Sequence, residues 1–248
     1  METKDIRQLQ MYFAERCESN RVYPMSIAEG TQDGDILFDD PADPRAALFW
    51  HYAGFAFLSG SINRDFLQPI YQNYFAAEPK RRFVLITDDD KVADFFADKV
   101  NIGMDKRVEY RFGSLLTDQP RCGYEIVRIS SDNYDKLHGR IIPAFSWTGK
   151  EQYLQNGFGF AALDKDKVIA AAFSAAVSSR EVDIGIETDE AYRHQGLAKA
   201  LADRMCREIL AMGKKPVWAH SVSNEGSGHT AIGVGFVEEK IHTVIFRK

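Results

Sequence analysis

The sequence predicts an α/β (α+β) protein in two parts, a smaller mixed α/β domain over residues 1–120 and a second domain over residues 121–248 built on a mixed central sheet. Three observations carry that prediction. Short β-type runs alternate with helix-period segments along the whole chain, without the internal repeats of a solenoid or propeller. A length of 248 residues accommodates two ordinary domains. The charge also changes between the halves: residues 1–120 hold about 14 Lys and Arg against about 20 Asp and Glu, whereas residues 121–248 hold about 17 against about 16.

The first element is a helix, because Ile6, Leu9, Tyr12 and Phe13 recur at helical spacing, and Asn20 closes it before an extended Arg21–Ile27 that includes Pro24. Asp39 to Pro44 reads as a turn. Residues 46–63 carry no charge at neutral pH, yet His51, Tyr52, Gly54, Ser59, Gly60 and Ser61 interrupt them, so a buried strand or helix pair is expected rather than a membrane span. Phe83–Thr87 is a strand that follows three basic residues. Asp88, Asp89 and Asp90 then cap a helix through Val92, Phe95 and Phe96, and Val108–Phe112 is a further strand before a linker at 117–120.

In the second half Tyr124–Ile129 alternates like a strand and Asp132–Leu137 looks helical. Gly157–Leu163 and Val168–Ala176 form a hairpin around Asp164–Lys167, and a strand at Val182–Thr188 follows. Leu197, Leu201, Met205, Ile209 and Met212 make one apolar stripe, so 197–212 is an amphipathic helix that Gly213 and Pro216 stop. A strand at Val217–Val222, a short helix and two closing strands, Phe236–Lys240 and Thr243–Phe246, complete the chain.

With 45% hydrophobic and 27% charged residues and a net charge of −5, the composition is that of a chain that buries a core. It offers no basic surface, so neither nucleic acid nor membrane is an expected partner. Met1–Asn20 lacks the apolar stretch of a secretory signal, and Cys17, Cys122 and Cys206 are too few and too scattered for a disulfide framework or a C-x-x-C site. A cytoplasmic protein with reduced thiols, monomer or homodimer, with no metal, is the expectation.

The segment with most chemical content runs from Thr188 through Arg193-His194-Gln195-Gly196-Leu197-Ala198, where a strand ends and the amphipathic helix begins. The first N–H groups of a helix have no internal partner and sit at the positive end of its dipole, so an anion such as a pyrophosphate can be held there by backbone. Gly196 lets the anion approach closely, and Arg193 and His194 add cationic donors. As a lone pattern this would read as a capped helix beside a solvated arginine.

In this context the stretch resembles the Q/R-x-x-G-x-G/A motif of the GNAT superfamily of acyl-coenzyme A N-acyltransferases, and the resemblance covers Tyr124 to Lys248. Asn224 with Ser227, followed by Gly235-Phe236, is similar to a second family segment. The resemblance implies the family's splayed sheet, with acetyl-CoA as cosubstrate. It implies that the backbone from Arg193 to Ala198 binds the coenzyme pyrophosphate, that the strand edge at Ile186, Glu187 and Thr188 pairs with pantetheine, and that Asn224 fixes the same arm. The N–H of Ile186 or Glu187 is the expected oxyanion donor.

Acetylating an amine needs a base, and Glu187 is the first candidate, with Glu181 and Asp183 of the same strand parity. The family's thiolate-protonating tyrosine, seven residues after the asparagine, is replaced by Ala231, which leaves nearby His229 or water as the acid. Phe145 and Trp147 fall where the family lines its acceptor pocket, and His220 is a further pocket candidate; for each of these, core packing is the plain alternative.

The whole-chain layout more weakly resembles the two-domain GNAT family that includes the zwittermicin A resistance acetyltransferase, which implies a small amine-bearing acceptor, an antibiotic or metabolite. The acidic first half, as an acceptor-binding or partner domain, would attract a cationic acceptor, or it is an ordinary solvated surface. Rival readings are a protein or peptide amine as acceptor and an acyl-CoA-binding regulatory module without turnover. Gly226-x-Gly228-x-x-Ala231 is a dinucleotide-type pattern, but too little chain follows it for such a fold.

Overall fold

In a computed structural model, which describes residues 3–248, one mixed sheet of eleven strands runs through both halves. Met1 and Glu2, the start of the segment expected to carry no secretory signal, lie outside the described residues. The strands are β1 (Gly34–Phe38), β2 (Ala46–His51), β3 (Phe55–Gly60), β4 (Val84–Thr87), β5 (Ile102–Phe112), β6 (Glu125–Arg128), β7 (Gly159–Asp164), β8 (Lys167–Val177), β9 (Glu181–Thr188), β10 (Lys215–Ser221) and β11 (Phe236–Arg247). Their order across the sheet is β1-β2-β3-β4-β11-β5-β10-β9-β8-β7-β6. The first half's β5 therefore sits between the last two strands of the second half, and the backbone ladder crosses the expected division at residue 120 without a break. Among the described residues only β3 with β4 and β9 with β10 are parallel.

Helices α1 (Thr3–Ala14), α2 (Val22–Glu29) and α5 (Lys150–Asn156) belong to one face, while α6 (Leu197–Ala211) crosses the other to connect β9 to β10, as a parallel pair requires. The apolar stripe of α6 is the reason: Leu197, Leu201, Met205 and Ile209 are buried against the sheet, and only Met212 of the expected set is exposed. Gly213, at φ +73°, makes the turn that ends it. On the first-half strands α3 (Arg64–Tyr71) and α4 (Asp90–Ala97) are capped by Asn63 and Asp89, whose side chains accept from the N–H groups of Phe66 and Lys91. The uncharged stretch from Ala46 is the buried β2–β3 pair, and no helix among the described residues is long and apolar enough to cross a membrane.

Four local expectations need correction. Arg21–Ile27 is not extended: α2 is helical because Pro24 falls in its first turn, where no backbone N–H is needed. Asp132–Leu137 shrinks to a single 3-10 turn, Tyr134–Lys136. The two closing strands are one, since β11 passes its irregular point between Glu238 and Lys240 as a bulge while remaining paired to β5. β5 itself begins at Ile102, well ahead of the Val108 expected from its apolar residues, because its first part, charged at Asp105, Lys106 and Arg107, pairs with β11.

A second bulge, in β8 between Ser174 and Ala176, positions the site. The buried Gln32, from the loop after α2, fills it: its amide nitrogen donates to the carbonyls of Ala175 (3.0 Å) and Ser146 (3.2 Å), and its oxygen accepts from the N–H of Val177 at 3.0 Å. These bonds satisfy backbone groups that the ladder leaves unpaired.

Candidate functional site

Strands β9 and β10 pair only where Glu181, Val182 and Asp183 meet Lys215, Pro216 and Val217. Beyond that point β10 follows β5 as far as Ser221, β9 follows β8 as far as Thr188, and the sheet splays open between them. The hydrogen-bond parity says which groups face the gap. The N–H of Asp189 donates to Ile169 of β8 at 2.9 Å, so in an antiparallel ladder the backbone groups of Ile184, Ile186 and Thr188 point away from β8 and into the gap. By the same reasoning the N–H of Val222, bonded to Lys106 of β5 at 3.0 Å, leaves the carbonyl of Ala219 facing the gap from the other side. Glu187 therefore points its backbone at β8, and of the two candidate N–H groups it is that of Ile186 which faces the gap.

At the mouth of the gap Glu190–Tyr192 forms a 3-10 turn, and His194 and Gly196 follow in the left-handed region at φ +63° and +78°. Such alternation curls consecutive N–H groups toward one side, and among the described residues none of those from Gln195 to Lys199 has an acceptor. The turn is held from outside. The Tyr124 hydroxyl donates to the Gln195 side chain at 2.9 Å, and Asp189 is bonded by His138 at 2.5 Å and by Lys167 at 2.6 Å; burial raises its pKa, but these two contacts outweigh it and hold the carboxyl below the usual range. Turn and gap open into one cleft of about 810 Å³, reached by Ile186 and Thr188 of β9, by Arg193 and Gly196, and by Asn224, Ser227 and His229 of α7 (Glu225–Ile232).

The expected coenzyme-binding residues thus come together, apart from the buried side chain of Leu197, whose backbone alone is available. Gln195 is exposed beside the turn. Asn224 is the N-cap of α7, accepting from the N–H of Ser227 at 3.2 Å and leaving its amide nitrogen free, while the Ser227 hydroxyl accepts from Trp218 Nε1 at 3.1 Å. Ala231 is fully buried, so the position of the family's tyrosine faces the core, and the nearby exposed His229 is the one that reaches the cleft. Two pocket candidates are core residues instead. Trp147 is 1% exposed and donates to the Ser174 carbonyl at 2.8 Å; His220 is 7% exposed, with one ring nitrogen on the Ser221 carbonyl and the other on the Tyr110 hydroxyl.

Phe145 remains partly exposed, edge-on to Phe55, on the face that carries Glu187 and Asp183. Glu187 accepts from the N–H of Ile141 at 2.9 Å, which fixes one carboxylate oxygen. The carboxyl of Asp183 is buried where the gap begins, accepts from the Tyr23 hydroxyl at 2.7 Å, and has no partner for its other oxygen. Burial raises its pKa to about 6 despite Arg107 and the Tyr23 bond, which lower it.

Because this group binds its proton more tightly folded than unfolded, it contributes stability that is fully present below about pH 3.8 and is lost as pH rises through about 6. Asp183→Asn removes that dependence. Its urea midpoint should improve relative to the parent between about pH 4 and 7.5, by on the order of 2 kcal/mol in unfolding free energy. A constant difference across that range would exclude Asp183 as the titrating group.

Sequence reasoning missed Tyr23, Gln32, Arg82 and Arg107 as shapers of the gap, and reached Asp183 only as sharing the strand parity of Glu187. Only the Lys80-Arg81-Arg82 run in an otherwise acidic half carried any local signal.

The sequence profile described as GNAT acetyltransferase matches residues 13–245, starting well ahead of the Tyr124 at which the sequence resemblance begins. An uncharacterized N-acetyltransferase YdfB of Bacillus subtilis (strain 168) is 26% identical over 231 residues, 89% of this chain and 88% of that protein. Among solved structures, a GCN5-related N-acetyltransferase-like protein from Streptococcus suis superposes with a TM-score of 0.76 at 24% identity, covering 98% of this chain and 100% of that one. An acetyltransferase from the GNAT family of Colwellia psychrerythraea gives 0.61 at 12% identity, covering 100% and 97%. At these identities the structures speak for the fold.

Proposed function

The chain belongs to the GNAT acetyltransferase family, and from that premise we propose that this N-acetyltransferase moves the acetyl group of acetyl-CoA directly to a primary amine of a small molecule. The observation that carries the reading is the unpaired stretch of β9 with free helix N–H groups at its end, in one cleft large enough for a pantetheine arm.

The residues divide the work. The N–H groups at Gln195–Ala198 with Arg193 hold the pyrophosphate, the outward-facing backbone of Ile186 and Thr188 continues the sheet onto pantetheine, and the Asn224 amide nitrogen reaches the same arm. The thioester carbonyl lies on the Ile186 N–H, which stabilises the oxyanion as the amine nitrogen attacks. Glu187, held by Ile141, takes the amine proton through its unbonded oxygen. The C–S bond then breaks, and the thiolate takes a proton from water or from His229. Residues 1–120 form the acceptor's side of the gap.

Calorimetry with acetyl-CoA and a thiol-release assay over a panel of amines test this. Binding is expected at micromolar Kd, with thiol released only when an amine is present. Glu187→Gln keeps an oxygen for the Ile141 N–H and is expected to lower kcat by about 10²-fold with the amine KM little changed. A rise in the amine KM with kcat retained would make Glu187 a positioning residue. Failure of the folded protein to bind acetyl-CoA would overturn the proposal, and binding without thiol release for any amine would favour the regulatory reading to which Ala231 points.

A further inference from the structure

On the face of the gap that carries Glu187, two arginines lie against one aromatic ring: the guanidinium carbons of Arg82 and Arg107 are 4.6 Å and 4.9 Å from the ring centroid of Phe55. Among the described residues neither has a carboxylate partner. Adjacent Arg81, by contrast, is paired with Asp35 at 2.8 Å. Arg82 donates to the carbonyl of Ala53 and Arg107 to the carbonyl of Ala219, both at 2.8 Å, and Arg107 Nε is buried with no acceptor. The Ala219 carbonyl is one of those that face the gap, so Arg107 reaches from β5 to the open edge of β10, across from β9.

Both arginines line a cavity of about 570 Å³ with Phe55 as one wall. Asp105 and Glu78 also line it, but Asp105 already accepts from the Ser221 hydroxyl, and neither pairs with the two guanidinium groups. Arg140, next to the Ile141 that bonds Glu187, adds a third positive charge to the field at Arg82. Burial first, then the charges of Arg107 and Arg140, lower the Arg82 pKa to about 10. Like charges packed on one ring repel each other, and although the charge of Arg107 favours the ionised form of the buried Asp183, neither guanidinium is bonded to that carboxyl, so the arrangement is relieved when a carboxylate or phosphate takes the free donors.

We propose that the acceptor amine carries an anionic group, a carboxylate or a phosphate, which Arg82 and Arg107 bind on the Phe55 wall while the amine reaches the gap beside Glu187. This rests on the acetyl-transfer reading of the gap and narrows its substrate class. It also reverses the expectation that the acidic first half draws in a cationic acceptor: the part of that half which meets the gap is basic.

The test uses product-like probes on the full chain saturated with coenzyme A, so that the phosphate-binding turn is filled. N-acetylglycine and N-acetylphenylalanine are titrated beside their uncharged amides, N-acetyl-O-phosphoserinamide beside the uncharged N-acetylserinamide, and all of them beside N-acetylputrescine, with Arg82→Gln, Arg107→Gln and the double variant in parallel. At least one anionic probe is expected to bind tenfold or more tighter than its amide, with that preference lost in the double variant while coenzyme A affinity stays within twofold. The amino-acid and phosphoserine arms distinguish a carboxylate from a phosphate ligand. Amides binding as well as acids, N-acetylputrescine binding best, or no probe binding to protein that holds coenzyme A would each overturn the proposal. Failure to bind coenzyme A itself would instead overturn the acetyl-transfer reading on which it rests.

Discussion

Gly196→Val should abolish acetyl-CoA binding, by about 10³-fold or more in Kd, while leaving the protein folded. The expectation rests on the backbone. Gly196 sits at φ +78°, a conformation that a β-branched residue does not hold, and a Cβ there would lie 3.3 Å from the carbonyl of Arg121. The chain relieves both by turning the peptide units on either side. Those units carry the N–H groups at the start of α6, and a pyrophosphate site made of backbone donors loses all of them together when their alignment is lost. Gly196 is exposed and α6 is anchored by its own buried stripe, so the melting temperature should fall by only a few degrees. Arg193→Glu is the companion variant: it preserves the turn and reverses one charge, and should weaken binding by a smaller factor. Calorimetry on both decides the point, and retention of acetyl-CoA within threefold by Gly196→Val would remove the coenzyme from this turn.

That turn was legible in the sequence because the elements that form it are local, a strand, a glycine that takes a left-handed conformation and an amphipathic helix, whereas the contacts from Tyr124, His138 and Lys167 that hold it were not. The gap beside it was not. Its opening depends on Gln32 filling the β8 bulge from 143 residues away in sequence and on β5 inserting between β10 and β11. A glutamine in a loop carries no mark of what it will satisfy, and a strand segment such as residues 104–107, of which three are charged, has no apolar alternation to announce it. The parity of β9 shows the same limit. Alternation placed Ile186 and Glu187 on opposite faces, but only the Asp189–Ile169 hydrogen bond says which N–H points into the gap. Arg107 went unnoticed for a related reason, since a single arginine on a strand is ordinary until the ring and the carbonyl it meets are known.

Trp147→Ala and Phe145→Ala, two residues apart, should fail in different ways. Both aromatics were candidates for the acceptor pocket. Trp147 is packed against Tyr153 and the backbone at Gly157, and its indole N–H is the partner of the Ser174 carbonyl, on the strand whose bulge follows at once. Removing it leaves a cavity and a buried carbonyl without a donor, so the loss of stability should be about 3–5 kcal/mol, among the largest that a single substitution produces in this fold. Phe145 touches Phe55 and lies 5.7 Å from the Arg82 guanidinium, with one side still open, so its removal should cost about 1 kcal/mol. The functional consequences run the other way. Phe145→Ala changes the wall against which the acceptor lies and should raise the acceptor KM with little change in kcat, whereas Trp147→Ala, assayed below its lowered melting temperature, should keep the parent's acetyl-CoA affinity. Urea unfolding and steady-state kinetics on the two variants separate wall from core. Equal stability losses, or a KM change confined to Trp147→Ala, would exchange the two roles and move the acceptor from Phe145 to Trp147.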